Sequence, residues 1–148
     1  EQQLEREITI FHRIATIDKF QHWIYKNPQH SLEERAKAWV EISDEFTSPV
    51  LNYDGLDDYR SYGWQRQLHL YEVPFYYIEY GIAQLGAIGM WQQFKKDKEA
   101  ALNNYIQALS LGATTTLPNL FKAAGLEFNF SPEYISKLMQ FVKSEMKN

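Results

Sequence analysis

The sequence predicts an all-α fold, a helical bundle of about five to seven helices forming a single helical domain over residues 1–148. Three observations support that class. Apolar residues recur at helical spacing along most of the chain. Helix-starting and helix-stopping residues fall between those stretches. No stretch shows convincing strand-like alternation, and no repeat or low-complexity tract interrupts the pattern.

Residues from about Gln2 to Lys26 read as one long helix. Leu4, Ile8, Phe11 and Ala15 form one apolar stripe, and Ile10, Ile14, Ile17 and Ile24 an adjacent one. Asn27-Pro28 stops it, because the residue before a proline is pushed out of the helical region. Ser31-Leu-Glu-Glu34 matches a capping box and opens a second helix to about Phe46. Ser48-Pro49 begins an irregular segment, and Asn52-Tyr-Asp-Gly55 signals a turn. One short helix is expected within Leu56–Trp64. Pro74 suits the first turn of a third long helix, where a missing N–H costs nothing. Gly81, Gly86 and Gly89 lie inside that helix. Each is about 1 kcal/mol worse than alanine there, so a close approach to another element is expected. Asp97 caps a fourth helix from about Lys98 to Leu111, ended by Gly112. Leu117-Pro118 opens a short helix ending at Gly125. Ser131-Pro132-Glu133 supplies an N-cap, a first-turn proline and an early acid for a last helix to about Lys147.

Composition narrows the function classes. A chain of this size buries roughly 68–70% of its unfolded surface, enough for a real core. Ten Tyr, nine Phe and four Trp supply large apolar areas to fill it. A net charge of −4 argues against a nucleic-acid binder, which needs a basic stripe. The absence of cysteine excludes a disulfide framework and any thiolate site. It is compatible with a reducing compartment, and a cytoplasmic location is expected. The stretch from Pro74 to Phe94 approaches the ~20 residues that span a bilayer. It carries Glu79, Gln84, Gln92 and Gln93, so a buried central helix is expected and no membrane partner.

The candidate site lies in the stretch from His69 to Gln84. Tyr76 and Tyr80 are four apart, and Tyr77 and Tyr80 three apart, so on a helix they share one turn. Phenols donate hydrogen bonds to developing negative charge, and a row of them beside His69 suggests an oxyanion or substrate site. Plain core packing, each polar tip bonded locally, is the alternative.

Several segments, in order, carry a resemblance to a known family. They are Phe20-Gln21-His22-Trp23-Ile24-Tyr25, then Tyr62-Gly63-Trp64 and His69. Pro74-Phe75-Tyr76-Tyr77 comes next with Glu79 and Tyr80, and Ala123-Ala124-Gly125-Leu126 precedes Phe130-Ser131. Over almost all of its length the chain resembles the oligoendopeptidase F family of zinc metallopeptidases, relatives of thimet oligopeptidase. The resemblance implies the C-terminal part of a larger α-helical peptidase fold that hydrolyses short peptides. It implies that His69 and Tyr80 are catalytic, giving hydrogen bonds to the substrate carbonyl or its tetrahedral intermediate. Tyr76 or Tyr77 would bind substrate, only one facing the cleft, since adjacent helical positions diverge by about 100°. Glu79 would orient a substrate amine or a tyrosine, or serve structure alone.

The family's zinc motif, His-Glu-x-x-His, does not occur here. The histidines are His12, His22, His30 and His69, and no two are three or four apart. Zinc is therefore expected only with an upstream part of the same polypeptide, and none bound to this chain. Its start at Glu1 without Met suggests a cut piece, inactive alone, that self-associates through an exposed apolar patch. The glycines of the third long helix would then face the absent metal-bearing helix. The rival class is a non-catalytic helical interaction module.

Other residues read more plainly. Asp18 and His22, four apart, form a structural pair; adding Glu7 makes no metal site, because it lies about 16 Å away along the helix. Trp23, Tyr25 and Trp39 are core or subunit-seam aromatics, and residues 95–98 a solvated junction. Arg60 and Arg66 flank His69, either gripping a peptide carboxylate or lying exposed.

Overall fold

The computed structural model describes residues 2–146, with side chains from Ile8 onward. The side chains of Leu4 and Glu7, and a last helix reaching Lys147, lie outside what is described. The described residues form eight α-helices and one 3₁₀ turn, and contain no strand. The helices are α1 (Gln2–Lys26), α2 (Leu32–Phe46), α3 (Asp57–Ser61), α4 (His69–Glu72), α5 (Ile78–Lys96), α6 (Lys98–Leu111), α7 (Leu117–Ala123) and α8 (Pro132–Glu145), with the 3₁₀ turn at Gly63–Arg66. They gather into two compact units, Gln2–Gly81 and the residues from Ile82 on. No helix among the described residues is long and apolar enough to cross a membrane.

The first unit is organised by Phe20, which is fully buried. Its ring meets Trp39 edge-on at 5.0 Å and lies 6.3 Å from both Trp23 and Trp64. Ala38 and Ile42 of α2 and Leu70 of α4 close this core. The α2 register is set by the expected capping box: the Ser31 N–H donates to Glu34 Oε2 at 2.7 Å, and the Glu34 N–H donates to Ser31 Oγ at 3.1 Å.

In the second unit, Asp97 Oδ1 accepts the Ala100 N–H at 3.0 Å and starts α6. Ser131 Oγ accepts the Tyr134 N–H at 3.2 Å and starts α8, with Pro132 at its first position. Leu85, Ile88, Ala101, Ala124, Leu138 and Val142 are buried, and Trp91 meets Phe141 edge-on at 4.7 Å.

The α5 glycines do mark close approaches, and side chains of this chain make them. A Cβ at Gly86 would sit 3.0 Å from the Phe121 ring, one at Gly89 3.0 Å from Leu126, and one at Gly81 3.3 Å from Ile14.

Between Leu56 and Ile78 one expectation holds and one fails. The short helix expected within Leu56–Trp64 is α3, and the 3₁₀ turn and α4 follow it. Pro74 does not begin a helix; α5 starts four residues later at Ile78. Proline drives the preceding Val73 out of the helical region, to φ −139 and ψ 74, and this ends α4. Phe75 then takes a left-handed φ of 60, which no α-helix accommodates.

Candidate functional site

The site grows from that irregular turn. The Tyr76 N–H donates to the Val73 carbonyl at 3.2 Å and closes a four-residue turn. Pro74 takes its second position and Phe75 its third, the arrangement of a type II turn. Glycine or asparagine normally occupies the third position. Phe75 is the one non-glycine residue with positive φ among the described residues, at a cost of roughly 1–2 kcal/mol. Helix α1 restrains it. The Phe75 N–H donates to Gln21 Oε1 at 2.8 Å, and the Phe75 ring lies 5.0 Å from both His22 and Tyr25. A second tie from α1, Arg13 Nη2 to Gln67 Oε1 at 3.1 Å, anchors the segment ahead of α4.

Held this way, α4, the turn and the first turn of α5 bring their aromatic side chains together. The His69 ring lies 4.8 Å from Tyr77, 6.0 Å from Tyr80 and 6.1 Å from Tyr76. Tyr80 in turn lies 5.5 Å from Tyr76 and 5.2 Å from Tyr77. Each sequence-predicted site residue thus joins one cluster, by a different geometry from that expected. Tyr76 and Tyr77 precede α5 rather than sharing a helical turn with Tyr80. The 100° divergence of helical neighbours does not apply to them, and both rings reach His69.

The cluster opens to solvent. Tyr76 is 40% exposed and Tyr80 41%. His69 and Tyr77 are half-buried. A hydrogen bond between the Tyr80 and Tyr76 hydroxyls raises the Tyr80 phenol above its ordinary value of 10.0, helped by slight desolvation and by the negative charge of Tyr76 and Glu79 when ionised. A raised phenol stays protonated through neutral pH and into the alkaline range, so Tyr80 is a hydrogen-bond donor under ordinary conditions. Together the four residues offer three phenol O–H groups and an imidazole to whatever binds there.

The remaining candidates lie outside this cluster. Asp18 Oδ2 and His22 Nε2 are 3.5 Å apart, as expected for a pair on one helix face. No three His, Cys, Asp or Glu residues among those described converge on a metal position. Arg60 is committed elsewhere, paired with Asp44 and lying 4.4 Å over the Tyr53 ring. Arg66 is exposed. Trp23 and Trp39 line the Phe20 core, whereas Tyr25 covers Phe75. Lys95 pairs with Glu145 at 2.7 Å, so the 95–98 junction is partly tied down. Sequence reasoning missed Gln21 as part of this site. Its only local signal is a polar amide on an otherwise apolar helix face.

Known proteins are similar to this chain in sequence and fold. The sequence model of peptidase family M3 matches residues 2–140. The structure of PZ peptidase A with an inhibitor is similar at a TM-score of 0.83 and 29% identity, over 97% of this chain and 26% of that one. A crystal structure assigned as a putative oligoendopeptidase F gives a TM-score of 0.85 at 27% identity, over 99% of this chain and 26% of that one. The chain thus spans 26% of the length of each of these structures. Among curated proteins, nothing matches it.

Proposed function

The chain belongs to peptidase family M3, and from that premise we propose that it forms the carbonyl-gripping wall of a zinc endopeptidase acting on short peptides. The observation that carries this reading is the convergence of His69, Tyr76, Tyr77 and Tyr80, every ring within 6.1 Å of His69. Such a cluster suits a developing oxyanion, because donors fixed in advance need no reorganisation as charge builds. His69, through a ring N–H, and Tyr80, through its phenol, give hydrogen bonds to the carbonyl oxygen of the scissile bond. Substrate displaces the Tyr76 partner from the Tyr80 hydroxyl. Tyr76 or Tyr77 then holds the neighbouring peptide backbone. The zinc ligands belong, on this reading, to polypeptide outside these residues. The lack of cysteine is consistent with work in a reducing cytoplasm.

One observation favours a second reading, a helical interaction module. The second unit carries a cleft of ≈ 600 Å³, nearly all apolar, bordered by Ala83, Gly86, Met90, Phe94, Tyr105 and Leu109. Leu102, Ile106 and Leu109 of α6 are exposed large apolar side chains of the same unit. Under the peptidase reading, the rest of the polypeptide covers this face, and the isolated chain covers it with a second copy.

Metal analysis, a peptide-cleavage assay and light scattering, run on this chain and on the complete gene product, separate the two readings. The chain alone is expected to self-associate, bind no stoichiometric metal and cleave nothing. The complete product is expected to carry zinc and cleave short peptides. A complete product without zinc or cleavage leaves the interaction module standing. A chain that hydrolyses peptides by itself, or stays monomeric, contradicts the division assigned here.

A further inference from the structure

We infer that Gln21 is a positioning residue: its amide oxygen holds the Val73–Tyr76 turn in its left-handed form and thereby sets the tyrosine donors beside His69. This role rests on the proposed catalytic use of the His69 cluster.

Gln21 is only 2% exposed and ranks among the largest fully buried side chains. A buried amide is costly unless it is hydrogen-bonded. Its oxygen accepts from the Phe75 N–H at 2.8 Å, 54 residues away in sequence. Its Nε2 is buried with no partner among the described residues. A methionine would fill the same space without that unpaired donor, so packing alone does not explain glutamine here. The bond it does make falls on the one backbone position that is strained among the described non-glycine residues. Other residues of α1 act on the same point, with the His22 and Tyr25 rings both 5.0 Å from the Phe75 ring. Helix α1 therefore grips Phe75 by both backbone and side chain.

The grip matters because of the residues just beyond it. Tyr76 and Tyr77 come directly after Phe75, and the Tyr80 ring meets Tyr76 edge-on at 5.5 Å. If Phe75 relaxes to a negative φ, the chain direction beyond it changes, and the phenols leave His69. A strained conformation fixed by a distant buried group at a cluster of polar aromatics is the pattern of a preorganised site.

The test uses the complete enzyme. Gln21→Met keeps the volume and removes the acceptor. It is expected to lower kcat ~100-fold, the usual scale for a misplacement of about 1 Å, with little change in KM. Gln21→Glu restores an acceptor oxygen and is expected to recover most of the loss. In ¹³C-tyrosine NMR, the Tyr80 phenol should titrate at lower pH in Gln21→Met, because its Tyr76 partner has moved. Gln21→Asn, which withdraws the oxygen by one bond, gives the same outcomes if the Met variant does not fold. Normal kcat in folded Gln21→Met, or equal losses in the Met and Glu variants, overturns the inference. Tyr80→Phe is the control. If it retains full kcat, the assignment of the cluster as a catalytic wall fails instead, while the NMR shift still decides whether Gln21 positions the phenols.

Discussion

Tyr80→Phe in the complete peptidase will lower kcat ~10²–10³-fold while zinc content stays normal. Removing one donor to an oxyanion costs ~2.7–4 kcal/mol in the transition state, and that range sets the magnitude. The substitution deletes one oxygen and keeps the ring, so the contacts with His69, Tyr76 and Tyr77 survive. At 41% exposure, Tyr80 contributes little to the core, which separates catalysis from stability. Because the lost bond forms mainly as charge develops, KM should change far less than kcat. The Tyr76 hydrogen bond raises the Tyr80 phenol, so rate loss from ionising it should set in only above the ordinary phenol range, and Tyr76→Phe should bring that limb to lower pH. Steady-state kinetics beside a metal assay reads all of this. An unchanged kcat rejects Tyr80 as a donor.

The largest expected effect on stability is Phe20→Ala, at about 3–5 kcal/mol for the unit Gln2–Gly81. Phe20 is 0% exposed and sits among three tryptophans, Trp23, Trp39 and Trp64, large and rigid enough to leave most of the cavity open. A typical domain has only about 5–15 kcal/mol in total, so this unit would stand near its unfolding threshold. Urea denaturation followed by tryptophan fluorescence measures the loss. A change below about 1 kcal/mol would mean that the tryptophans collapse onto the vacancy, and that Phe20 does not organise this core. Phe20 also adjoins Gln21 on α1, so the same core fixes the helix that restrains the Phe75 turn.

How far the sequence could be read depended on whether the deciding contact was local. Ser31 with Glu34, Asp97 and Ser131-Pro132 each announce a helix start, because the groups that satisfy the first N–H donors lie within three residues. The glycines of α5 announced close packing but not its partner, since Phe121 and Leu126 lie more than thirty residues on. Pro74 was ambiguous: a proline suits the first turn of a helix and the second position of a β-turn equally. Phe75 decided for the turn, and what holds Phe75 there is an amide 54 residues away. No local pattern encodes that bond. The four candidate residues stood out by the close spacing of the tyrosines beside His69, and a family resemblance gave them their proposed roles. Their meeting around His69 required the turn, and a continuous helix would have kept Tyr76 and Tyr77 on diverging faces.

The most direct measurement is the crystal structure of the complete enzyme with a phosphinic peptide, whose tetrahedral phosphorus mimics the intermediate. The expected result places Tyr80 Oη and a His69 ring nitrogen ~2.7–3.1 Å from one phosphinyl oxygen. Side chains of His69 and Tyr80 turned away from the bound inhibitor, with its oxygens gripped by other residues, would contradict it.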